Sequence, residues 1–387
     1  MKLPMLAKPH PAGYVSAGPR KSGTCRQGRR DLPGAQSRRW RIVSIVGARP
    51  QFIKAFPFSR AVRAHPALEE VLVHTGQHFD ANMSDIFFRE LGIAPPHHAF
   101  DIHGGSHAAM TGRMLTAIEE VLVAEMPDAV VVYGDTNSTL AGALAAAKLH
   151  IPVVHIEAGL RSFNRRMPEE INRVVADHVS TLLLCPTRLA VENLAAEGIT
   201  RGVHNPGDLM FDATLLATVL AEKHARILAT LNLSPGHYAL ATVHRAENTD
   251  DPAQLAKVVA YLKAEAEKQP VVLPLHPRTQ HALAAAGLDT RGLIVIDPVG
   301  YLDMSQLLHH AARVFTDSGG LQKEAYFHRV PCVTLRGETE WVETISHGWN
   351  RLWTDPGYAP RKDIREYGDG HAAEAMAEII VAYLSRA

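Results

Sequence analysis

The sequence predicts an α/β protein made of two doubly wound halves with a cleft between them. From residue 41 onward, apolar runs rich in β-branched residues alternate with helical patterns, which is typical of parallel sheets built from βαβ units. A break at Pro206-Gly207-Asp208 separates two such series of similar length. The chain has 387 residues, enough for two domains of about 150–200 residues each.

The first domain is predicted to span residues 41–206. Its strands are expected at 42–46, 71–75, 129–133, 153–156, 182–184 and 203–205. Its helices are expected at 83–91, 108–124, 139–149 and 168–180. This alternation predicts a parallel sheet covered by helices, the arrangement of a Rossmann-like domain.

The second domain is predicted to span residues 207–370, and it begins with one helical run that continues to about residue 228. Its strands are expected at 239–242, 271–275, 293–296, 314–316, 332–335 and 351–354. Its other helices are expected at 252–266, 304–311 and 321–327. The pattern leaves open whether the last helix, within residues 371–387, packs on the first domain.

Charge divides the chain into a basic tail and an acidic body. Residues 1–40 contain nine Lys or Arg and one Asp, and they are rich in Gly and Pro without an apolar core segment. We expect this segment to be a disordered tail and not a secretory signal. The remaining residues contain 31 basic and 39 acidic side chains. An acidic body argues against nucleic acid as a partner.

Composition also bears on location and metals. No apolar run approaches ~18 residues, so we expect no membrane partner. Cys25, Cys185 and Cys332 are widely spaced, which favours a reducing cytoplasm over a disulfide framework. The adjacent pairs His97-His98 and His309-His310 cannot both point into one tetrahedral site from a regular element without strain. With no cysteine cluster or H-E-x-x-H helix, the sequence predicts no metal.

Acidic residues follow two strands of the first domain. Asp135 comes just after the strand at 129–133, and Glu157 just after the strand at 153–156. Glu169 follows nearby, at the start of a predicted helix. Acids are expensive to bury unless they meet a ligand or a cation, and ligands of such sheets bind beyond the strand carboxyl ends. Three converging carboxylates therefore predict proton-transfer chemistry.

Positive charge is expected at the same edge of the first sheet. Gly47-Ala48-Arg49-Pro50 directly follows the first strand, and Lys54 lies one turn later. A helix amino end attracts anions, so we expect Arg49 and Lys54 to contact an anionic ligand. The run is neither a Walker loop nor a G-x-G-x-x-G fingerprint, which argues against ATP and NAD. The sequence therefore predicts no cofactor.

The second domain is expected to contain a similar anion-binding turn at the start of a helix. Ser318 is a candidate N-cap, and Gly319 and Gly320 leave backbone N–H groups open to a phosphate. Glu324 lies about one and a half turns further on, where it can accept hydrogen bonds from ribose hydroxyls. His244 follows the first strand of this domain and can protonate or hydrogen-bond a departing phosphate. Together these residues predict a nucleoside diphosphate site.

In this order, the motifs resemble those of the non-hydrolysing UDP-N-acetylglucosamine 2-epimerases. The matching runs are Gly47-Ala48-Arg49-Pro50, His74-Thr75-Gly76-Gln77-His78, Gly134-Asp135-Thr136, His155-Ile156-Glu157-Ala158-Gly159-Leu160-Arg161, Pro168-Glu169-Glu170, Thr242-Val243-His244-Arg245, Asp317-Ser318-Gly319-Gly320 and Tyr367-Gly368-Asp369-Gly370. The resemblance covers residues 41–385 and leaves the tail unexplained.

The resemblance implies a GT-B arrangement, in which two Rossmann-like domains hold a UDP-sugar in the cleft, and it implies a homodimer. It also implies inversion at C2 of the sugar by elimination and re-addition of UDP, with no cofactor and no metal. By motif position, the catalytic residues are Asp135, Glu157, Glu169 and His244, of which Asp135, Glu157 and His244 also contact the substrate. The remaining substrate contacts are Arg49, Lys54, Ser318, Gly319, Gly320 and Glu324.

Departures from the family pattern leave the sugar open. Gln51 stands where many members have Glu, and Trp341 stands where many have an Arg that contacts the nucleotide sugar. Asn137-Ser138 and residues 162–165 are similar to the branch that acts on UDP-2,3-diacetamido-2,3-dideoxyglucuronate, as are residues 87–91. The alternatives are that uronate substrate, a GT-B glycosyltransferase and a non-catalytic nucleotide-sugar binder. The joint presence of the three acids counts against the last.

Overall fold

The computed structural model describes residues 39–77 and 91–386. The predicted tail, apart from its last two residues, lies outside these ranges, as do His78 and all but the last residue of the helix expected at 83–91. Within them, β1 begins at Trp40, one residue before the predicted start of the first domain. No helix of the described residues is long and apolar enough to cross a bilayer.

Thirteen strands form two parallel sheets among the described residues. The first sheet contains β1 (Trp40–Val46), β2 (Leu68–His74), β3 (His98–Ala99), β4 (Ala129–Tyr133), β5 (Val153–Ile156), β6 (Leu182–Leu184) and β7 (Val203–His204). The second contains β8 (Ala239–Thr242), β9 (Val271–Pro274), β10 (Ile294–Ile296), β11 (Arg313–Thr316), β12 (Cys332–Thr334) and β13 (Asn350–Leu352).

Helices connect these strands in both halves. In the first half they are α1 (Arg49–Ala64), α2 (His107–Glu125), α3 (Asn137–Lys148), α4 (Pro168–Val179) and α5 (Arg188–Ala196). From the break onward they are α6 (Leu209–His224), α7 (Ile227–Thr230), α8 (Ala246–Thr249), α9 (Pro252–Ala266), α10 (Pro277–Ala286), α11 (Tyr301–His309), α12 (Gly319–Phe327), α13 (Val342–Ser346) and α14 (Ala372–Leu384).

The two-sheet α/β prediction is confirmed, with strand orders β3-β2-β1-β4-β5-β6-β7 and β10-β9-β8-β11-β12-β13. Some local details differ from the prediction. The two-residue strand β3 was not predicted, because its sequence is too short to show a pattern. The helical run expected to reach residue 228 ends at His224 and restarts at Ile227.

The last helix, α14, packs against α1 and α6. The carboxylate of Asp212, in α6, accepts hydrogen bonds from the backbone N–H groups of Ala372 (3.2 Å) and Ala373 (2.7 Å). Near the middle of α14, the carboxylate of Glu378 lies 3.3 Å from His65 Nε2. The last helix therefore packs on α1, one of the helices that cover the first sheet. The domain boundary at residue 206 stays a prediction.

Helix α3 packs tightly on the first sheet because of a glycine. A Cβ atom on Gly142 would lie 2.7 Å from Ile45 Cδ1 and 3.1 Å from Val132 Cγ1, both in fully buried side chains. Gly112, in α2, has no described atom within 4 Å of its Cβ position. The close approach of α3 to β1 and β4 therefore depends on the missing side chain at residue 142.

We expect Gly142→Ala to lower the free energy of unfolding by about 1–2 kcal/mol, because overpacking outweighs the helix-propensity gain of alanine. Gly112→Ala is the matched control and should raise it by up to ~1 kcal/mol. Urea denaturation followed by circular dichroism measures both. Equal effects of the two substitutions would contradict this account of the α3 contact.

Candidate active site

The predicted site residues lie at the switch points of the two sheets. In the first sheet, β1 and β4 are neighbours, and the connections that leave them run in opposite directions. In the second sheet, β8 and β11 occupy the same positions. A crevice forms beyond the carboxyl ends of such strand pairs, and ligands of open α/β sheets bind there.

The turn after β1 is built around Gln51. Its side-chain oxygen accepts hydrogen bonds from the N–H groups of Gly47 (2.8 Å) and Ala48 (3.1 Å). Its amide nitrogen donates to the Tyr133 carbonyl (2.8 Å) and to Thr139 Oγ1 (3.0 Å). These two N–H groups are therefore engaged within the protein. The expected anion affinity of this turn must then come mainly from side-chain charge.

Arg49 brings that charge close to the second half of the chain. Burial lowers the pKa of His244, and the positive charge of Arg49 is among the influences that lower it further. Burial raises the pKa of Glu324 to about 7, and Arg49 opposes this rise. Arg49 follows a strand of the first sheet, whereas the other two residues belong to the second half. The structure therefore brings these three predicted residues into one electrostatic environment.

Asp135 is held by α4. Arg173 Nη2 donates to the carboxylate of Asp135 (2.5 Å), and its Nη1 donates to that of Glu170 (2.8 Å). Asn172 Nδ2 donates to the backbone carbonyl of Asp135 (2.8 Å). Glu169 is exposed and precedes Arg173 by four residues, so both lie on one face of the helix. Glu169 is thereby placed on the side of α4 that faces Asp135.

Glu170 differs from Glu169 in being locked in place. It is buried, and it accepts hydrogen bonds from the backbone N–H groups of Ser162 and Phe163 (both 2.9 Å). Burial raises its pKa, but these bonds and the contact with Arg173 outweigh burial and lower it. Glu170 is therefore an ionised structural group, and the exposed Glu169 is the better candidate for proton transfer.

Glu157 forms a close ion pair with Lys54. Burial raises the pKa of Glu157, but nearby positive charges outweigh it and lower the value, so the carboxylate stays ionised. Those charges belong to Lys54, Lys323 and Arg173. Glu157 also has φ of +69°, a backbone conformation that non-glycine residues rarely adopt and that recurs at functional sites.

Lys323, which the sequence-based site did not include, connects the two halves. It is buried and forms a close ion pair with Asp208, and its charge also acts on Glu157. Its Nζ atom lies 4.1 Å from the ring centre of Trp341. A small pocket, with a cavity volume of about 10 Å³, adjoins these groups and is lined in part by Lys54, Glu157 and Asp208.

Behind Glu157, His155 is fully buried between two acceptors. Its Nδ1 lies 2.6 Å from Asp177 Oδ1, and its Nε2 lies 2.7 Å from the Gly134 carbonyl. A neutral imidazole has a single N–H, so both contacts are satisfied only by the imidazolium. Burial lowers the pKa of His155, but Asp177 and the Gly134 carbonyl outweigh burial and raise it. This charged pair supports the strand end that precedes Glu157.

Asp317 organises the corresponding turn of the second half. It is fully buried and accepts hydrogen bonds from the backbone N–H groups of His244 (2.9 Å) and Arg245 (2.9 Å) and from Asn248 Nδ2 (3.0 Å). The side chain of His244 is 37% exposed, which leaves part of the ring accessible. Asp317 thus positions His244 while staying out of the cleft itself.

The glycines that begin α12 have different surroundings. Ser318 is the N-cap, and its Oγ accepts from the N–H of Leu321 (3.5 Å), as predicted. A Cβ atom on Gly319 would lie 2.1 Å from a carboxylate oxygen of Glu340, whereas no described atom lies within 4 Å of the Cβ position of Gly320. Arg336 Nη1 holds Glu340 at 2.7 Å. An internal carboxylate therefore already uses part of the anion-favouring helix end.

The structure brings the predicted residues together in two groups. Lys54, Asp135, Glu157 and Glu169 belong to the first sheet's edge, and His244, Ser318, Gly319, Gly320 and Glu324 to the second. The positive charge of Arg49, which follows a strand of the first sheet, influences the pKa values of His244 and Glu324 in the second group. Sequence reasoning missed Arg173, Lys323 and Asp317, whose roles depend on partners far along the chain; their only sequence signal is that each lies within or beside a motif already recognised.

Comparison with known proteins identifies the class first. A solved UDP-GlcNAc 2-epimerase from Methanocaldococcus jannaschii, in complex with UDP-GlcNAc and UDP, is 38% identical with a TM-score of 0.76. The match covers 88% of this chain and 99% of that one. With its two parallel sheets, the chain is therefore a GT-B-like α/β protein.

Sequence matches then identify the family. The family described as UDP-N-acetylglucosamine 2-epimerase matches residues 60–381. The UDP-2,3-diacetamido-2,3-dideoxy-D-glucuronate 2-epimerase of Pseudomonas aeruginosa is 51% identical, over 88% of this chain and 99% of that relative. A UDP-N-acetylglucosamine 2-epimerase of Methanococcus maripaludis is 45% identical, over 81% and 87%. The chain belongs to the UDP-N-acetylglucosamine 2-epimerase family, whose members are isomerases.

The raised pKa of Glu324 predicts a pH-dependent stability. The unfolded chain releases this proton near the ordinary value of 4.5, whereas the folded protein holds it until about pH 7. The folded state binds more protons in between, so its stability should fall as pH rises through this interval. Glu324→Gln should reduce the loss of stability between pH 4 and pH 8 by up to roughly 3 kcal/mol, at about 1.4 kcal/mol per pKa unit.

Urea denaturation at pH 4, 6 and 8 measures this difference. Glu120→Gln, at an exposed position of α2, is the control and should leave the pH dependence unchanged. An identical pH profile for wild type and Glu324→Gln would show that Glu324 titrates normally.

Proposed function

We propose that the protein inverts C2 of a UDP-activated acetamido sugar and interconverts UDP-N-acetylglucosamine and UDP-N-acetylmannosamine. The observation that carries this proposal is the cluster of acids at the first sheet's edge, Asp135, Glu157 and Glu169, beside cations that also act on the second half. Family membership and the UDP-sugar named in the complex of the solved relative support it.

The chemistry explains why acids and cations are needed together. The C2 hydrogen of an acetamido sugar is not next to a carbonyl, so no ordinary side chain can remove it directly. Breaking the C1–O bond gives the ring oxocarbenium character and makes the C2–H acidic, and loss of that proton leaves a glycal. Re-protonation at C2 from the other face and return of UDP to C1 then complete the inversion. The reaction needs no redox cofactor because UDP leaves and returns.

The departing UDP requires positive charge and hydrogen-bond donors. Arg49 and His244 are proposed to contact the diphosphate, together with the first turn of α12 at Ser318, Gly319 and Gly320. Because the pKa of His244 is lowered, the imidazole is neutral at physiological pH and can donate one N–H. Glu324, with its pKa near 7, is proposed to bind the ribose hydroxyls.

Inversion at C2 requires a base and an acid for the proton transfers, and it requires negative charge that stabilises the oxocarbenium ion. Asp135 and Glu169 are proposed to transfer protons on opposite faces of C2. Glu157 stays ionised beside Lys54, so we assign it to electrostatic stabilisation of the oxocarbenium ion. Arg173 is a positioning residue, because it holds the Asp135 carboxylate through a 2.5 Å bond.

The second candidate substrate is UDP-2,3-diacetamido-2,3-dideoxyglucuronate. The relative that is 51% identical bears that name. The residues that are similar to this branch also lie beside the acids. Asn172 Nδ2, which holds the backbone of Asp135, lies 3.4 Å from Asn137 Oδ1, and Ser162 donates to Glu170 through both its N–H and its hydroxyl.

We expect deuterium to enter C2 when the protein is incubated with UDP-N-acetylglucosamine in deuterated water without an acceptor. NMR should show a manno product in the same sample. No exchange with this substrate, together with exchange on the diacetamido-uronate in parallel, would favour the second candidate. No exchange with either sugar, from folded protein that binds UDP, would contradict the proposal.

Asp135→Asn should lower kcat by about 10²–10⁴-fold, the usual contribution of a positioned acid or base. UDP should still bind with unchanged affinity by isothermal titration calorimetry, because Asp135 is assigned to the sugar and not to the diphosphate. Asp289→Asn removes an exposed carboxylate paired with Lys263 and Arg291 and is the control. Normal turnover by Asp135→Asn would remove Asp135 from the mechanism.

A homodimer in the cytoplasm remains part of the proposal. The resemblance implies the dimer, and the spacing of the three cysteines favours the cytoplasm. Light scattering coupled to size-exclusion chromatography measures the oligomeric state directly.

A further inference from the structure

A cluster of histidines lies where three helices of the second half end. His309 is the last residue of α11, and His310 caps that helix. Glu222 is in the last turn of α6, and His328 caps α12. The carbonyl ends of helices carry partial negative charge and favour cations. Three such ends meeting at one cluster form an environment suited to a positively charged ligand.

The side chains of this cluster are close enough to share one ion. Glu222, His309 and His310 each offer a ligand atom within 4.8 Å of the others. His310 Nε2 lies 2.7 Å from Glu222 Oε1, and His309 Nδ1 lies 3.1 Å from His328 Nδ1. Ligand atoms around a tetrahedral zinc ion are separated by about 3.3 Å, given metal–ligand bonds of ~2.0–2.1 Å. A small inward movement of the exposed Glu222 and His309 side chains would complete the site.

Two adjacent histidines on one regular element cannot both point into a tetrahedral site without strain, and for that reason the sequence predicted no such site. This reason does not apply to His309-His310, because the helix ends between them. The other adjacent pair has different surroundings: His97 accepts from the Leu72 N–H, whereas His98 lies 2.8 Å from Glu125. His97 and His98 thus have separate partners and form no common site.

We propose that Glu222, His309 and His310 bind a divalent transition-metal ion, with Zn²⁺ as the test case, and that His328 holds the His309 ring in its binding orientation. Two imidazoles and one carboxylate suit Zn²⁺, Ni²⁺ or Cu²⁺ more than Mg²⁺ or Ca²⁺, which prefer oxygen ligands. Glu222 and His309 are exposed, so water can fill the remaining coordination positions.

The proposed ion has a structural effect and no part in the sugar chemistry. Helix α12 begins at the glycines of the proposed diphosphate site and ends beside His328, and its nine residues separate the two ends by about 13 Å. The ion would join the ends of α6 and α11, and the contact between His309 and His328 would extend this link to the end of α12. Binding to the folded state alone stabilises it by mass action.

Isothermal titration calorimetry of the full chain with ZnCl₂, after EDTA treatment and dialysis, tests the proposal. Wild type should bind Zn²⁺ at this site and gain at least ~2 °C in melting temperature. His309→Ala and Glu222→Gln should each lose this binding and the thermal shift. His328→Ala should weaken binding about 10–100-fold, the usual effect of losing a group that orients a ligand.

His371→Ala is the matched control, because it removes an exposed imidazole beside the single carboxylate of Glu374. This variant should bind Zn²⁺ as wild type does. A second measurement uses Cu²⁺ and electron paramagnetic resonance, where splitting from two nitrogens is expected and His310→Ala should leave one. Circular dichroism confirms folding, and Glu222→Gln keeps the test decisive if a histidine variant does not fold. Unchanged Zn²⁺ binding in His309→Ala and Glu222→Gln, or no binding by wild type, would overturn the proposal.

Discussion

The buried charges between the two halves of the chain constrain the rest of the site. Lys54 pairs with Glu157, and Lys323 pairs with Asp208 while its charge also acts on Glu157. Buried charges are tolerated only when they are paired, so these four groups must keep their mutual positions. They lie on α1, the end of β5, α12 and the start of α6, and the charge of Lys323 on Glu157 acts from the second half to the first. Removing any one member would leave its partner buried and unpaired.

The same constraint explains why only some acids are chemically available. Glu170, Asp177 and Asp317 are buried and accept several hydrogen bonds each, so they position backbone turns and neighbouring side chains. Asp135 and Glu169 keep exposed surface. The site thus combines fixed acids, which set its shape, with accessible acids, to which we assign the chemistry. Arg173 connects the two sets, because it donates hydrogen bonds to both Glu170 and Asp135.

Gln51 shows how a single departure from the family pattern is accommodated. Its amide accepts from two backbone N–H groups and donates to the Tyr133 carbonyl and to Thr139. An ionised glutamate could accept the first two bonds but could not donate the others. The turn that carries Arg49 is therefore held without adding a negative charge beside the proposed diphosphate position.

The local pattern of apolar residues predicted most of the strands. The runs at 129–133, 153–156, 182–184 and 239–242 coincide with β4, β5, β6 and β8. The order of the motifs predicted the family. The positions of the candidate acids after parallel strands predicted that they lie at one edge of the sheet. Tertiary structure alone decided which acids are buried and held by hydrogen bonds. It also decided that Arg173 holds Asp135, and that Lys323 pairs with Asp208 while its charge acts on Glu157. It also decided that the imidazoles of His309 and His328 meet. These contacts link residues that are 19 to 115 positions apart in the sequence. A local sequence pattern cannot predict them, because only folding brings such distant residues together.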